Sequence, residues 1–217
     1  MGYDAVVFDN DGVLVEPTDW DVIREAIREA FGEVGVDDPA EEHVEQLIGV
    51  TVDDVHAVAD AYDLDPEALW YARDTAGSAH QSELIRNGGK NLFSDVEALW
   101  ELSAPRGIVS NNQHATVETI VDHYELRDRF DVVYGRQPTV EDIGRKKPDP
   151  YYLDRALTDL GAEDALYVGD TAKDVAVARR VGIDAALVRR EHNAHVEPAT
   201  EPEFEVPDLA SLVDEIE

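Results

Sequence analysis

The chain has 217 residues and no cysteine, and its 49 acidic against 18 basic side chains leave a formal net charge of −31. That balance excludes nucleic acid and anionic membranes as partners, since both need clustered Lys and Arg. The missing thiols exclude disulfides, thiolate metal sites and a cysteine nucleophile. At 43% hydrophobic residues the chain can build a packed core, and its acids are spread through periodic segments, not gathered in a tail. No apolar run approaches the ~20 residues that span a bilayer. The opening Met1-Gly2-Tyr3-Asp4 lacks the basic and apolar segments of a signal peptide, so a cytoplasmic protein is expected.

The first element is the β-branched and aromatic run Ala5–Phe8, which reads as a buried strand. It ends in two carboxylates, Asp9 and Asp11, followed by the turn-former Gly12. An unpaired buried carboxylate is costly, and the carboxyl end of a strand in an open α/β sheet is where ligands bind. Two acids there suit a hard cation, a covalent nucleophile, or a simple cap on the following turn.

Some 75 residues without a convincing strand follow. Helical stripes run through Trp20, Ile23, Ile27 and Phe31, then Val44, Leu47 and Ile48, then Val52, Val55 and Val58, and from Ala68 towards Ile85. These predict a helical insertion over residues 16–88, entered at Glu16-Pro17 and left at Asn87-Gly88-Gly89. Residues 1–15 and 89–217 then form the other domain. Strands are predicted at Gly107–Ser110, Val132–Tyr134, Ala165–Val168, Ala185–Val188 and Phe204–Val206. Helices fall between them at Asp95–Leu102, Ala115–Tyr124, Pro150–Leu160, Thr171–Val181 and Pro207–Ile216. Such alternation predicts βαβ units and a parallel sheet. The tryptophans Trp20, Trp70 and Trp100 fall in helical stripes, as packing residues do. Arg190–Glu203 reads as a solvated loop, so that His192 and His195 are not expected to form a metal site.

Three further polar clusters follow predicted strands. Ser110-Asn111-Asn112 offers a hydroxyl and two amides. Lys146-Lys147-Pro148-Asp149-Pro150 precedes a helix. Gly169-Asp170 brings a carboxylate, with Asp174 one helical turn on. Each alone fits a helix cap or solvated turn; together they can converge on Asp9 and Asp11.

In order and spacing these four clusters resemble the motifs of the haloacid dehalogenase-like hydrolase superfamily. Asp9-Asn10-Asp11-Gly12-Val13 matches the first, Ser110-Asn111 the second, Lys147-Pro148-Asp149-Pro150 the third and Gly169-Asp170-Thr171-Ala172-Lys173-Asp174 the fourth. The resemblance spans about residues 4–190. It implies a Rossmann-like α/β core with an inserted helical cap, similar to phosphoglycolate phosphatase-like members. It further implies a Mg²⁺-dependent phosphatase in which Asp9 is the nucleophile and Asp11 the general acid and base. Ser110, Asn111 and Lys147 would bind the phosphoryl group, and Asp9, the Asp11 carbonyl, Asp170 and Asp174 would serve the metal. The family spacing favours Lys147 over Lys146, which is expected on a solvated turn, and Asn10 should point away from the metal. A phosphomutase of the β-phosphoglucomutase type keeps the same motifs. A haloacid dehalogenase lacks the acid that Asp11 supplies.

The expected partner is a small phosphorylated metabolite, and the chain a monomer or small homo-oligomer. His80, Arg73, Arg86 and Lys90 are the polar cap-side residues of interest, each expected on a solvated face. Only four of the 18 basic residues are lysines, and this acid-rich, lysine-poor surface resembles those of halophilic proteins.

Overall fold

The computed structural model describes residues 2–217. Its centre is a six-stranded, wholly parallel sheet in the order β3-β2-β1-β4-β5-β6. The strands are β1 (Ala5–Phe8), β2 (Arg106–Gln113), β3 (Val132–Arg136), β4 (Ala165–Gly169), β5 (Asp184–Val188) and β6 (Phe204–Val206). Both faces of the sheet are covered, as a parallel sheet requires. One face packs Phe8, Ile108 and Val168 against α5 (His114–His123) and α9 (Leu209–Ile216). The other packs Val7, Tyr167 and Leu187 against α7 (Tyr151–Leu160) and α8 (Ala172–Val181).

Between β1 and β2 the chain forms α1 (Trp20–Glu33), α2 (Glu41–Gln46), α3 (Val52–Ala61) and α4 (Pro66–Arg86). Their apolar stripes close around a cluster of their own that includes Ile27, Phe31, Leu47, Val55 and Leu69. Val140 and Ile143 complete that cluster from outside the insertion. They sit on α6 (Val140–Gly144), a five-residue helix too short to show periodicity in the sequence. The predicted helix at Asp95–Leu102 is a 3₁₀ helix over Val96–Glu101. Helices α7 and α8 begin one residue after the expected Pro150 and Thr171, because these residues occupy the N-cap positions.

Chain order places the site. From β1 the sheet grows through β2 and β3 on one side and through β4, β5 and β6 on the other. The crevice beyond the carboxyl ends of β1 and β4 is thus the topological switch point, where such sheets bind ligands. Strand β2 runs three residues past its expected end at Ser110, with an irregularity in its register against β3 between Val109 and Gln113. Within that stretch Asn111 and Asn112 line the same crevice, while Ser110 is buried. Among the described residues, no helix is long and apolar enough to cross a membrane.

Candidate active site

The loop after β1 is wound tightly: Gly12 N–H donates to Val15 O at 2.8 Å and Leu14 N–H to Asn10 O at 2.9 Å. Gly12 holds φ at +82°, and a Cβ there would lie 2.1 Å from Asp170 Oδ2. Gly169 is forced in the same way, since its Cβ would meet that of Asp174 at 2.1 Å. Glycine at both positions lets the loops after β1 and β4 close on one another.

Asp9, Asp170 and Asp174 are buried, and each offers an oxygen within 4.8 Å of the other two. The buried Lys147 ammonium lies between them, 2.9 Å from Asp9 Oδ2 and 2.7 Å from Asp174 Oδ1. Lys147 also donates to Tyr167 Oη at 2.7 Å. Asp174 forms a capping box with Thr171, accepting the Thr171 N–H and hydroxyl on Oδ2 and leaving Oδ1 for Lys147. Burial, reinforced by the neighbouring acids, pushes the Asp9 carboxyl up to about 8 although Lys147 opposes it. Burial and Asp174 push Asp170 up to about 7. Burial works against the Lys147 ammonium, but Asp174 and Asp9 outweigh it and raise its pKa well above the ordinary value.

Three carboxylates sharing one ammonium leave an excess of buried negative charge. Hard oxygen donors in such a cluster fit a small divalent cation such as Mg²⁺. The prediction follows directly. Protons would compete with a bound cation for Asp9 and Asp170, so that Mg²⁺ affinity should fall as the pH drops through about 8 and then about 7. About 5 mM MgCl₂ should therefore raise the thermal midpoint far more at pH about 8.5 than at pH about 6. Equal shifts at both pH values would show that these carboxyls do not take the ion.

Asp11 faces away from this trio. Its carboxylate is ion-paired with Lys90 Nζ and accepts from Asn112 Nδ2 at 2.9 Å and Asn10 Nδ2 at 3.2 Å. Burial would raise its pKa, but Lys90 and these amides prevail and lower it. Lys90, expected on a solvated face, is 0% exposed. It also donates to Thr18 Oγ1 at 2.8 Å and Gln81 Oε1 at 3.4 Å. A lone lysine in a Gly-Gly-Lys-Asn linker carries no periodicity that could have marked it as buried.

Asn111 accepts the Lys147 N–H on Oδ1 at 2.7 Å and donates from Nδ2 to the Lys147 carbonyl at 3.3 Å, fixing the lysine loop. Ser110 is buried and its Oγ accepts the Asn112 N–H at 3.1 Å. Asn10 is buried beside Asp11, with its side-chain amide oxygen unpartnered.

A cleft of about 410 Å³ opens over Asp9, Asp11 and Asp170, between the sheet and the helical insertion. Trp20, expected to pack, stands 59% exposed at this cleft. Lys146 is half-buried, not solvated, and donates to Val50 O across the cleft. Arg73 is buried as well, its Nε donating to Leu47 O at 3.2 Å. His80 pairs with Glu29 at 2.6 Å away from the cleft, and Arg86 is exposed. The segment after β5 is not the free loop its composition suggests. Arg190 grips Asp95 and the carbonyls of Gly12 and Val13, and buried Asn193 ties Asp170 O to Val188 O. His192 Nε2 reaches Asp170 Oδ2 at 2.8 Å, while His195 is exposed.

The sequence model of the haloacid dehalogenase-like hydrolases matches residues 6–188, a span that holds every side chain of the acid–lysine cluster. The chain belongs to that family. Within it, the chain is 27% identical over 217 residues to the pyrophosphatase PpaX of Bacillus cereus (strain AH820), covering 98% of this chain and 96% of that one. Haloacid dehalogenase-like enzymes also share the fold. CbbY of Rhodobacter sphaeroides, solved in complex with phosphate, superposes with a TM-score of 0.72 at 20% identity over 97% of this chain and 96% of its own. A predicted phosphoglycolate phosphatase of Haemophilus somnus 129pt gives 0.69 at 20% identity over 99% and 98%.

Proposed function

We propose that this hydrolase is a Mg²⁺-dependent phosphatase of a small phosphorylated metabolite, acting through an aspartyl-phosphate. The observation that carries it is the pairing of two differently placed acids at the switch point. Asp9 lies beside Lys147, Asp170 and Asp174, and Asp11 lies two residues on against Lys90. The activities named for the relatives, a pyrophosphatase and a predicted phosphoglycolate phosphatase, are anhydride and phosphate-ester hydrolyses and support the same reading.

In this reading Asp9 attacks phosphorus while Lys147 offsets the charge that gathers on the carboxylate and phosphoryl oxygens. The P–O bond to the alcohol breaks. The proton for the departing oxygen passes through Asp11, whose ion pair with Lys90 places an ammonium proton one carboxylate away. The alcohol leaves, and the ionised Asp11 takes a proton from the water that attacks the phosphoaspartate and passes it back to Lys90, releasing phosphate and restoring Asp9 and the Asp11–Lys90 ion pair. Ser110 contributes a hydroxyl to the phosphoryl oxygens. Asp9, Asp170, Asp174 and the Asp11 carbonyl would hold Mg²⁺, which when bound neutralises charge between nucleophile and phosphate.

Residues 16–88 act as a cap over the core of residues 1–15 and 89–217. The two linkers run side by side, with Glu16 N–H donating to Asn91 O at 2.9 Å and Val15 bridged to Leu92. The test is phosphate release across a panel of phosphorylated metabolites with Mg²⁺, before and after excess chelator. Turnover that chelator abolishes and Mg²⁺ restores supports the reading, and undiminished turnover in chelator removes the metal assignment.

The acidic surface belongs to a protein adapted to high salt. At about 0.01 M salt its charges repel over ~30 Å, and at about 1 M over ~3 Å. The thermal midpoint should therefore climb between about 0.05 and about 2 M KCl. A flat profile would exclude salt adaptation.

A further inference from the structure

The segment between β5 and β6 carries none of the four motifs, yet three of its residues bond to the loops that do. Arg190 donates to the Gly12 and Val13 carbonyls at 3.3 and 3.0 Å. It is held in turn by both Asp95 oxygens at 3.1 Å and by the face of Phe93. Buried Asn193 donates to the Asp170 and Val188 carbonyls, both at 2.8 Å. Its Oδ1 accepts the Arg190 N–H at 2.7 Å, which closes the short 3₁₀ turn Glu191–Asn193. That turn presents His192, whose Nε2 donates to Asp170 Oδ2 at 2.8 Å. Arg190 thus holds the loop after β1, and His192 and Asn193 hold the loop after β4.

The three acids of the cluster are not oriented alike. Asp9 is fixed by Lys147 and by the Asn10 N–H. Asp174 is fixed by Lys147 and by Thr171. Asp170 draws no side-chain partner from the four motifs. Among the described residues, His192 is the one side chain that hydrogen-bonds its carboxylate. A carboxylate free to rotate makes a poorer ligand, and hydrogen bonds from outside the ligand set correct this. The imidazole takes one oxygen of Asp170 and leaves the other for a cation. Gly12 makes room for the pair, since a Cβ there would lie 2.9 Å from His192 Nε2 as well as against Asp170.

We propose that His192 is a positioning residue for the divalent cation, orienting the Asp170 carboxylate through a hydrogen bond and not serving as a ligand itself. Arg190 and Asn193 fix the turn that carries it. This rests on the reading of Asp9, Asp170 and Asp174 as the cation site, and it adds to that site a residue from outside the four motifs. The His192 side chain is 31% exposed and lines the cleft. Replacing it therefore removes little packing, while water competes for its bond. The effect belongs at the low end of the ~10- to 100-fold by which such outer partners strengthen metal binding.

The test is calorimetric titration of Mg²⁺, and separately of Co²⁺, into the full chain in about 2 M KCl, which suppresses diffuse cation binding to the acidic surface. His192→Ala should weaken both metals by the same factor, about 10-fold. His192→Gln, whose amide donates to Asp170 in place of the imidazole, should recover most of the loss. His195→Ala, on an exposed side chain of the same segment, should bind as the wild type does. In phosphate release, His192→Ala should raise the Mg²⁺ concentration for half-maximal rate and leave the rate at saturating Mg²⁺ largely intact. A loss several-fold larger for Co²⁺ than for Mg²⁺ would make His192 a nitrogen ligand, because imidazole favours the later transition metals, and would overturn the positioning role. Unchanged Mg²⁺ affinity in His192→Ala, or equal losses in the Ala and Gln variants, would overturn it while leaving the cation site standing. Absence of Mg²⁺ binding by the wild-type chain would overturn the cation site as well.

Discussion

Asp9→Asn will lower turnover of phosphate monoesters by on the order of 10⁴- to 10⁶-fold, the scale on which a covalent nucleophile's loss is felt. An amide has no lone pair basic enough to displace an alkoxide from phosphorus, and no other carboxylate replaces it. Asp174 is committed to Lys147 and Thr171, Asp170 to His192, and Asp11 to Lys90, Asn112 and Asn10. The fold should survive, because the substitution removes one of three mutually repelling buried acids and leaves Lys147 its bond to Asp174. Circular dichroism and the thermal midpoint check this directly. Asp9→Ala, which cannot revert by deamidation, guards against a trace of restored aspartate. Asp11→Asn should behave differently. It should cost about 10²- to 10⁴-fold on alkyl phosphates, and less with nitrophenyl phosphate, whose leaving group needs no proton. Wild-type turnover in either Asp9 variant would rule out the covalent route.

The core of this site was legible because its residues contradict their surroundings. Carboxylates at the ends of apolar strands stand out in a sequence, and those after β1 and β4 meet on the lysine loop once the sheet is parallel. The strands themselves were legible from runs of β-branched residues, and their limits moved by no more than three residues, the largest change being the extension of β2 into Gln113. What stayed hidden depends on contacts remote in sequence. Lys90 meets Asp11 across 79 residues and Arg136 meets Asp74 across 62, and no local pattern distinguishes a lysine or arginine destined for a buried pair from one on a solvated face. Trp20 shows the reverse error. It has helical spacing with Ile23 and Ile27, but it opens α1 where the helix meets the cleft, so its ring is left exposed. The segment after β5 was misread for a third reason. Its prolines and acids describe a loop, while Arg190 and Asn193 anchor it through main-chain carbonyls, which no composition records.

The second large effect concerns Asp74, which joins cap to core. It lies on α4, is fully buried, and receives both Arg136 nitrogens from the end of β3. Gln113 Nε2 donates to it at 3.2 Å, and the Arg136 and Arg73 guanidiniums both lie over the Trp70 ring, at 4.9 and 5.1 Å. Asp74→Ala leaves two buried guanidiniums facing one another without a carboxylate. Breaking a buried pair by deleting one partner costs about 3–5 kcal/mol, and for a chain of this size each kcal/mol moves the midpoint by about 2–4 °C. The expected fall in thermal midpoint is therefore roughly 6–20 °C in matched salt. The complementary Arg136→Met should cost less. It leaves Asp74 within reach of Arg73, which can close its 3.5 Å gap once the competitor is gone. Molar salt should rescue little of the Asp74→Ala loss, because the unpaired charges are buried and poorly screened. If the two variants destabilised equally, and both recovered in KCl, the pair would be acting as a surface contact and not as the buried joint between cap and sheet.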